Sequence, residues 1–329
     1  MKGKFILCGA LVIICLTLSA QMNRAAWANE KPSDYPNKTI TLMHGFPAGG
    51  SSDVGCRLVA EALRKVIAQP VVVEAKPGAG SQIMLTEFKN NAKPDGYTMA
   101  LINVPQIQTI VFDPTRKAAF GFKDFQPIAN HVQDPGTILV RKGSPFKTLE
   151  DFLAAAKAKP GQISVSTSGL GSDDHLAILD LQRRTGLKFN IVHLRGTAEM
   201  LSTALGGHID VAFDNIGGFL PTAMSGEARL LAVMMEKRYP DLPDVPTFRE
   251  KGVDLLSSST RGYVMPAGTP MGIIKYIEQS LKKGMEDPEH IKRMKDAGLT
   301  LKFMGVEEYS RFIEGENNRA QELIKLYRR

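Results

Sequence analysis

Two short runs combine residue types able to bind an anion. The first reads Phe46-Pro47-Ala48-Gly49-Gly50-Ser51-Ser52-Asp53, and the second Ser166-Thr167-Ser168-Gly169-Leu170-Gly171-Ser172-Asp173-Asp174-His175. Each places glycines directly before a segment of helical periodicity. Glycine lets the backbone approach a ligand closely and take positive φ, while Ser52 or Ser172 can cap the first turn. A helix start leaves several N–H groups unpaired and carries about half a positive charge, so each join suits a carboxylate or phosphate. Tight turns with ordinary caps remain the other reading of the same residues.

Enzymatic uses of these residues fail on spacing. Gly45 to Gly50 has the glycine spacing of a P-loop, but Ser51-Ser52 stands where Lys-Ser/Thr is required. Gly78-Ala79-Gly80 and Gly169-Leu170-Gly171 lack the third glycine of a dinucleotide fingerprint. No Gly-x-Ser-x-Gly elbow supports a triad of Ser172, His175 and Asp210. His44, His131, His193 and His208 are scattered without metal-ligand spacing. The residues predict a binding protein, not an enzyme, with no cofactor and no metal.

The joins need a scaffold. Short β-branched runs at 39–44, 71–74, 98–102, 163–166, 189–193, 209–213 and 230–234 alternate with helix-period segments at 52–67, 81–90, 148–158, 173–185, 197–205, 271–282 and 307–327. That alternation predicts an α/β fold with parallel strands and crossover helices. In open α/β sheets ligands bind at the carboxyl ends of strands, where both glycine runs fall.

The N-terminus sets the expected compartment. Lys2 and Lys4 precede an apolar stretch from Phe5 to Ala20, and Ala26-Trp27-Ala28 offers a cleavage point, so residues 1–28 read as a secretory signal peptide. Cys8 and Cys15 leave with it, and Cys56 alone cannot form an intramolecular disulfide. Lys2, Lys4 and Arg24 also carry part of the +7 formal charge, so the remaining chain is only mildly basic. No basic run with interleaved aromatics points to nucleic acid, and no later apolar run is long enough to span a membrane.

Several longer words are family-like. The segment 35–83, containing "GFPAGGSSD" and "KPGAGSQI", and the following "KPDGYTMALIN" resemble the opening of the Bug family, the solute-binding receptors of tripartite tricarboxylate transporters. "STSGLGSDDHLA", "LGGHIDVAFDN", "LPDVPTFREKG" and "GYVMPAGTP" extend the resemblance, in the family's order, over most of the chain. Ile191-Val192-His193-Leu194-Arg195-Gly196 departs from the His-Val-Pro-Tyr-Lys-Gly of many relatives, and Ser81 replaces a common glycine.

The resemblance implies a two-lobed periplasmic-binding-protein fold of the type II, Venus flytrap kind. Its lobes would be 35–128 plus 263–329, and 129–262, joined by crossings near 128–140 and 259–266. Carried over residue by residue, the first lobe's ligand site would use Ala48, Gly49, Gly50, Ser51 and Asp53, with Gly80, Ser81 and Asn103. The second would use Thr167, Ser168, Gly169, Gly171, Ser172 and His175, with Asp214 and Asn215. Arg261, beside the returning crossing, is a candidate for a second carboxylate, against a surface or interlobe ion-pair role. The implied protein is a periplasmic monomer that captures a small organic carboxylate for the transporter's membrane components. A ligand sensor that signals through another partner would share the cleft and differ only in that partner.

Overall fold

The structure, a computed structural model, describes residues 31–325. The signal-peptide reading of 1–28 falls outside the described residues. Among the described residues ten strands run in chain order as β1 (Ile40–His44), β2 (Val71–Ala75), β3 (Thr98–Val104), β4 (Phe125–Arg141), β5 (Ser164–Thr167), β6 (Asn190–His193), β7 (Val211–Asn215), β8 (Ala228–Val233), β9 (Ser258–Pro266) and β10 (Leu301–Met304). The α-helices are α1 (Ser51–Ile67), α2 (Gln82–Asn91), α3 (Gln106–Phe112), α4 (Leu149–Ala158), α5 (Asp173–Thr185), α6 (Thr197–Leu205), α7 (Ile216–Met224), α8 (Met271–Met285), α9 (Pro288–Asp296) and α10 (Val306–Ile324).

The strands lie in the order β2-β1-β3-β9-β4-β7-β5-β6, with β8 and β10 also paired to β4. Pairs β1–β2, β1–β3, β5–β6 and β5–β7 are parallel, whereas β4 and β9 run antiparallel to their neighbours. The fold is therefore α/β and two-lobed, as the resemblance implies. Residues 125–135 of β4 pair with β9, and residues 136–141 pair with β7 and β8. Ser257 bonds Met234 and Gly136 in the second lobe, while β9 from Ser258 onward pairs with β4 and then β3 in the first. The strands thus change partners at Pro135/Gly136 and at Ser257/Ser258. The chain is polar at both points, Gln133-Asp134-Pro135-Gly136 and Ser257-Ser258-Ser259, and the switch of partners is set by strand pairing.

Packing explains the layers. Ile40 and Leu42 of β1 enter a core with Val59, Leu63 and Ile277, while Met43 enters a second core with Phe88, Ile107 and Tyr309 on the other side of the sheet. Strands covered on both faces in this way suit a parallel sheet. Cys56, Val59, Leu63 and Ile67 recur at helical spacing and seat α1 on that sheet. The second lobe repeats the plan with Phe152, Val165, Leu181 and Phe213 on one face and Leu139, Ala212 and Phe219 on the other.

A buried chain braces the first lobe near the crossings. Tyr263 OH lies 3.0 Å from His131 Nδ1, and His131 Nε2 lies 3.1 Å from His290 Nε2. Burial lowers both imidazole pKa values, that of His131 well below its ordinary value. The unfolded chain therefore binds protons first, below its own pKa of about 6.5, and the stability present above that pH is lost as pH falls. His290→Gln should flatten this slope, by up to about 1.4 kcal/mol per pH unit. Urea midpoints of parent and variant between pH 7 and pH 5 check it.

Candidate functional site

A cleft of ≈ 1000 Å³ opens between the lobes. Its first-lobe wall begins where β1 ends. Gly49 adopts φ +80, and Gly50 precedes α1 with an ordinary extended backbone (φ −78, ψ 167) and no side-chain cap. The first N–H groups of a helix have no intrahelical partner, and such a start suits an anion. Asp53 is engaged within its own loop. It accepts from the Gly49 N–H at 3.0 Å and from Arg57 at 2.9 Å, and contacts His44 Nε2 at 3.0 Å, which ties down the loop. Burial pushes its carboxyl pKa up, but Arg57 and the Gly49 N–H outweigh that, and the net shift is downward.

The second glycine loop is built differently. Ser172 caps α5 by accepting from the His175 N–H at 3.2 Å. The Gly171 N–H donates to His175 Nδ1 at 3.0 Å, and Asp174 accepts from both the N–H and the hydroxyl of Ser168. The start of α5 is thus occupied by its own side chains. Gly171, at φ +76, faces α3 of the first lobe: a Cβ there would lie 2.7 Å from Thr109 Oγ1, which donates to the Gly171 carbonyl at 2.8 Å. This close approach and the positive φ both require the glycine.

The cleft's second-lobe wall instead includes the start of α6. Gly196 precedes Thr197 without a side-chain cap, and a Cβ on Gly196 would lie 3.8 Å from Pro47 Cδ of the opposite lobe. Two uncapped helix N-termini, α1 and α6, therefore border the cleft from opposite lobes. The signal for α6 was present in the sequence as Gly196-Thr197 before a periodic helix. Arg195 beside it pairs with Glu199 on an exposed rim.

Among the residues singled out from sequence, the cleft brings together Gly50, Ser51, Gly80, Asn103, Ser168, Gly169, Asp214, Asn215 and Arg261. Its lining omits the others. Ala48 and Gly49 are exposed at the loop tip, Ser81 is buried against Gly45, and Thr167 bonds His193 at 2.9 Å. Asp53, Gly171, Ser172 and His175 serve the loops as described. Residues missed in the sequence include Gln106, Arg116, Asp173, Gly196 and Thr197. Gln106 and Thr109 of α3 approach the carbonyls of the second glycine loop, and Arg116 bridges the Ala79 and Leu170 carbonyls.

Arg261 is 4% exposed and already engaged. Its Nη1 lies 3.0 Å from Asp134 Oδ2, and Nη2 donates to Asn215 Oδ1 at 3.1 Å. Asn215 in turn donates to Asp173 at 2.7 Å. Burial raises the carboxyl pKa values around this network: Asp134 to about 6, Asp214 to about 7, and Asp174, with Asp173 and Asp214 close by, well above the usual range. Among the described residues no group of three His, Cys, Asp or Glu converges to hold a metal ion.

Ser81 occupies a left-handed backbone at φ +78, directly after Ala79 at φ +48 and Gly80 at φ +60. A side chain in this region costs roughly 1–2 kcal/mol. Ser81→Gly is expected to stabilise the fold by about 1 kcal/mol, read as a raised melting temperature.

Residues 56–328 match the tripartite tricarboxylate transporter family receptor. A Cupriavidus necator protein, the UPF0065 protein in the gbd 5′ region, is 31% identical over 300 residues, covering 89% of each chain. A Rhodopseudomonas palustris protein solved with adipate superposes with TM-score 0.83 at 26% identity, covering 89% of this chain and 98% of its own. MatC from the same organism, with bound malate, gives TM-score 0.80 at 25% identity, covering 88% of this chain and all of its own.

Proposed function

The chain belongs to the tripartite tricarboxylate transporter receptor family, and from that premise we propose that it is a monomeric periplasmic receptor which captures a small organic carboxylate and presents it to the transporter's membrane components. The observation that carries this reading is the cleft bordered by two uncapped helix starts, at Gly50–Ser52 and Gly196–Ala198, from opposite lobes. Backbone N–H groups at both ends of a carboxylate supply hydrogen bonds and favourable dipoles, while the first-turn carboxylates Asp53 and Glu199 are paired with Arg57 and Arg195. Adipate and malate in structures of the same fold support a carboxylate as the ligand class. With half the contacts in each lobe, a bound ligand favours the closed arrangement, because only there are both sets made.

A thermal-shift screen of mono-, di- and tricarboxylates and aromatic acids tests the reading. A true ligand at a hundredfold excess over its Kd should stabilise the fold by about 2.7 kcal/mol. Ala198→Asp, which puts a negative charge at the α6 start, should remove that shift. Silence across the whole screen overturns the carboxylate reading.

A further inference from the structure

The mouth and floor of the cleft differ in the groups they can accept. The mouth presents the N–H groups of α1 and α6. The floor presents the carboxyls of Asp173 and Asp214, 8% and 4% exposed, with Asp174 close enough to both to interact. Arg261 is the guanidinium among them, and it is already paired with a further carboxyl, Asp134, at 3.0 Å. The other cleft arginines do not balance the floor. Arg195 is paired with Glu199, and Arg116 is directed at backbone carbonyls.

The floor also has unmet hydrogen-bonding capacity. Thr197 and the Asn215 N–H reach the Asp214 carboxyl, yet its Oδ2 has no hydrogen-bond partner. Asn103 Oδ1 is unpartnered on the same cleft, and so is Arg261 Nε. A buried acceptor left unpaired is costly, and a ligand that supplies the donor recovers that cost only when it carries one. A second carboxylate placed here would instead face Asp173 and Asp214.

We propose that Asp214 reads a hydrogen-bond donor on the ligand, an ammonium or hydroxyl group on the chain that carries the carboxylate, so that the receptor prefers amino- or hydroxy-carboxylates to plain acids of the same length. The inference rests on the cleft being a carboxylate site. The carboxylate takes the helix starts at the mouth and the donor takes the floor. A hydroxyl or an ammonium group supplies the hydrogen that the Asp214 carboxyl lacks.

Calorimetric titration with matched probes tests it: butyrate, 4-hydroxybutyrate and 4-aminobutyrate; succinate, malate and aspartate; benzoate, 4-hydroxybenzoate and 4-(aminomethyl)benzoate. In any set that binds, the donor-bearing member should bind about tenfold or more tighter than the plain acid, and Asp214→Asn should bring that ratio to within about threefold. The hydroxyl and ammonium arms separate the two sources. A gain from both marks the hydrogen bond, and a gain from ammonium alone marks the floor's net negative charge. Equal binding of plain and donor-bearing acids by the parent protein overturns the proposal while leaving the carboxylate reading intact, as does a ratio unchanged in Asp214→Asn. If no probe binds, the carboxylate reading fails and this inference with it. Should Asp214→Asn not fold, the ratios of the parent protein decide.

Discussion

Gly50→Val is expected to weaken carboxylate binding by at least about 100-fold, a loss of ~2.7 kcal/mol, with little change in stability. Gly171→Val is expected to do the reverse. At Gly50 the backbone is ordinary for any residue, and a Cβ would meet only the Pro47 carbonyl oxygen at 3.6 Å. The added methyls then stand over the uncapped N–H groups of α1, and the fold loses only a weak cap preference of about 1 kcal/mol or less. At Gly171 a valine must accept φ +76 and push into Thr109. Left-handed strain of roughly 1–2 kcal/mol and overpacking of about 1–3 kcal/mol combine there. Thermal melts and calorimetry on the two variants separate the roles. A Gly171→Val protein that melts like its parent but no longer binds would place the ligand at the second glycine loop instead.

Arg261→Met should destabilise the protein by about 3–5 kcal/mol, because it leaves Asp134 buried without its counter-ion. The pH dependence has a definite sign. Burial raises the Asp134 carboxyl to about 6, partly opposed by Arg261. A group whose folded pKa is raised contributes stability that is lost as pH rises through that value. Without Arg261 the charged carboxylate is worse placed still, so the variant's deficit should be larger at pH 8 than at pH 5. Urea unfolding at both values measures it, and Asp134→Leu combined with Arg261→Met should recover most of the loss. A deficit below about 1 kcal/mol would mean the pair is solvated, returning Arg261 to the role of a free ligand clamp.

The parallel strands and long amphipathic helices were legible because their apolar residues recur with one clear period. Helices α3, α7 and α9 were not. Residues 106–112 and 216–224 are short and apolar with weak periodicity, and Pro221 lies inside α7. The crossings came from the family resemblance, and their points of changeover depend on pairing that no local residue announces. At the site, glycines before a helix marked the start of α1, which borders the cleft, and the start of α5, whose lining residues differ from those read in the sequence. Ser172 caps the His175 N–H while His175 and Asp174 bond the loop before α5, which follows from side-chain direction rather than spacing. Gly196 had the same signature as Gly50, but the departing residues around Leu194-Arg195 obscured it. Arg261 showed the reverse problem. Its donors suit a carboxylate, and the carboxylate they meet is Asp134, which is far away in sequence.

A crystal structure of the protein with a carboxylate from the screen tests the central claim most directly. The account predicts carboxylate oxygens about 2.7–3.2 Å from backbone nitrogens at the start of α1, at Ser51 or Ser52, and at the start of α6, at Thr197 or Ala198. A carboxylate seated on Arg261, or on the start of α5 at Ser172, would contradict it.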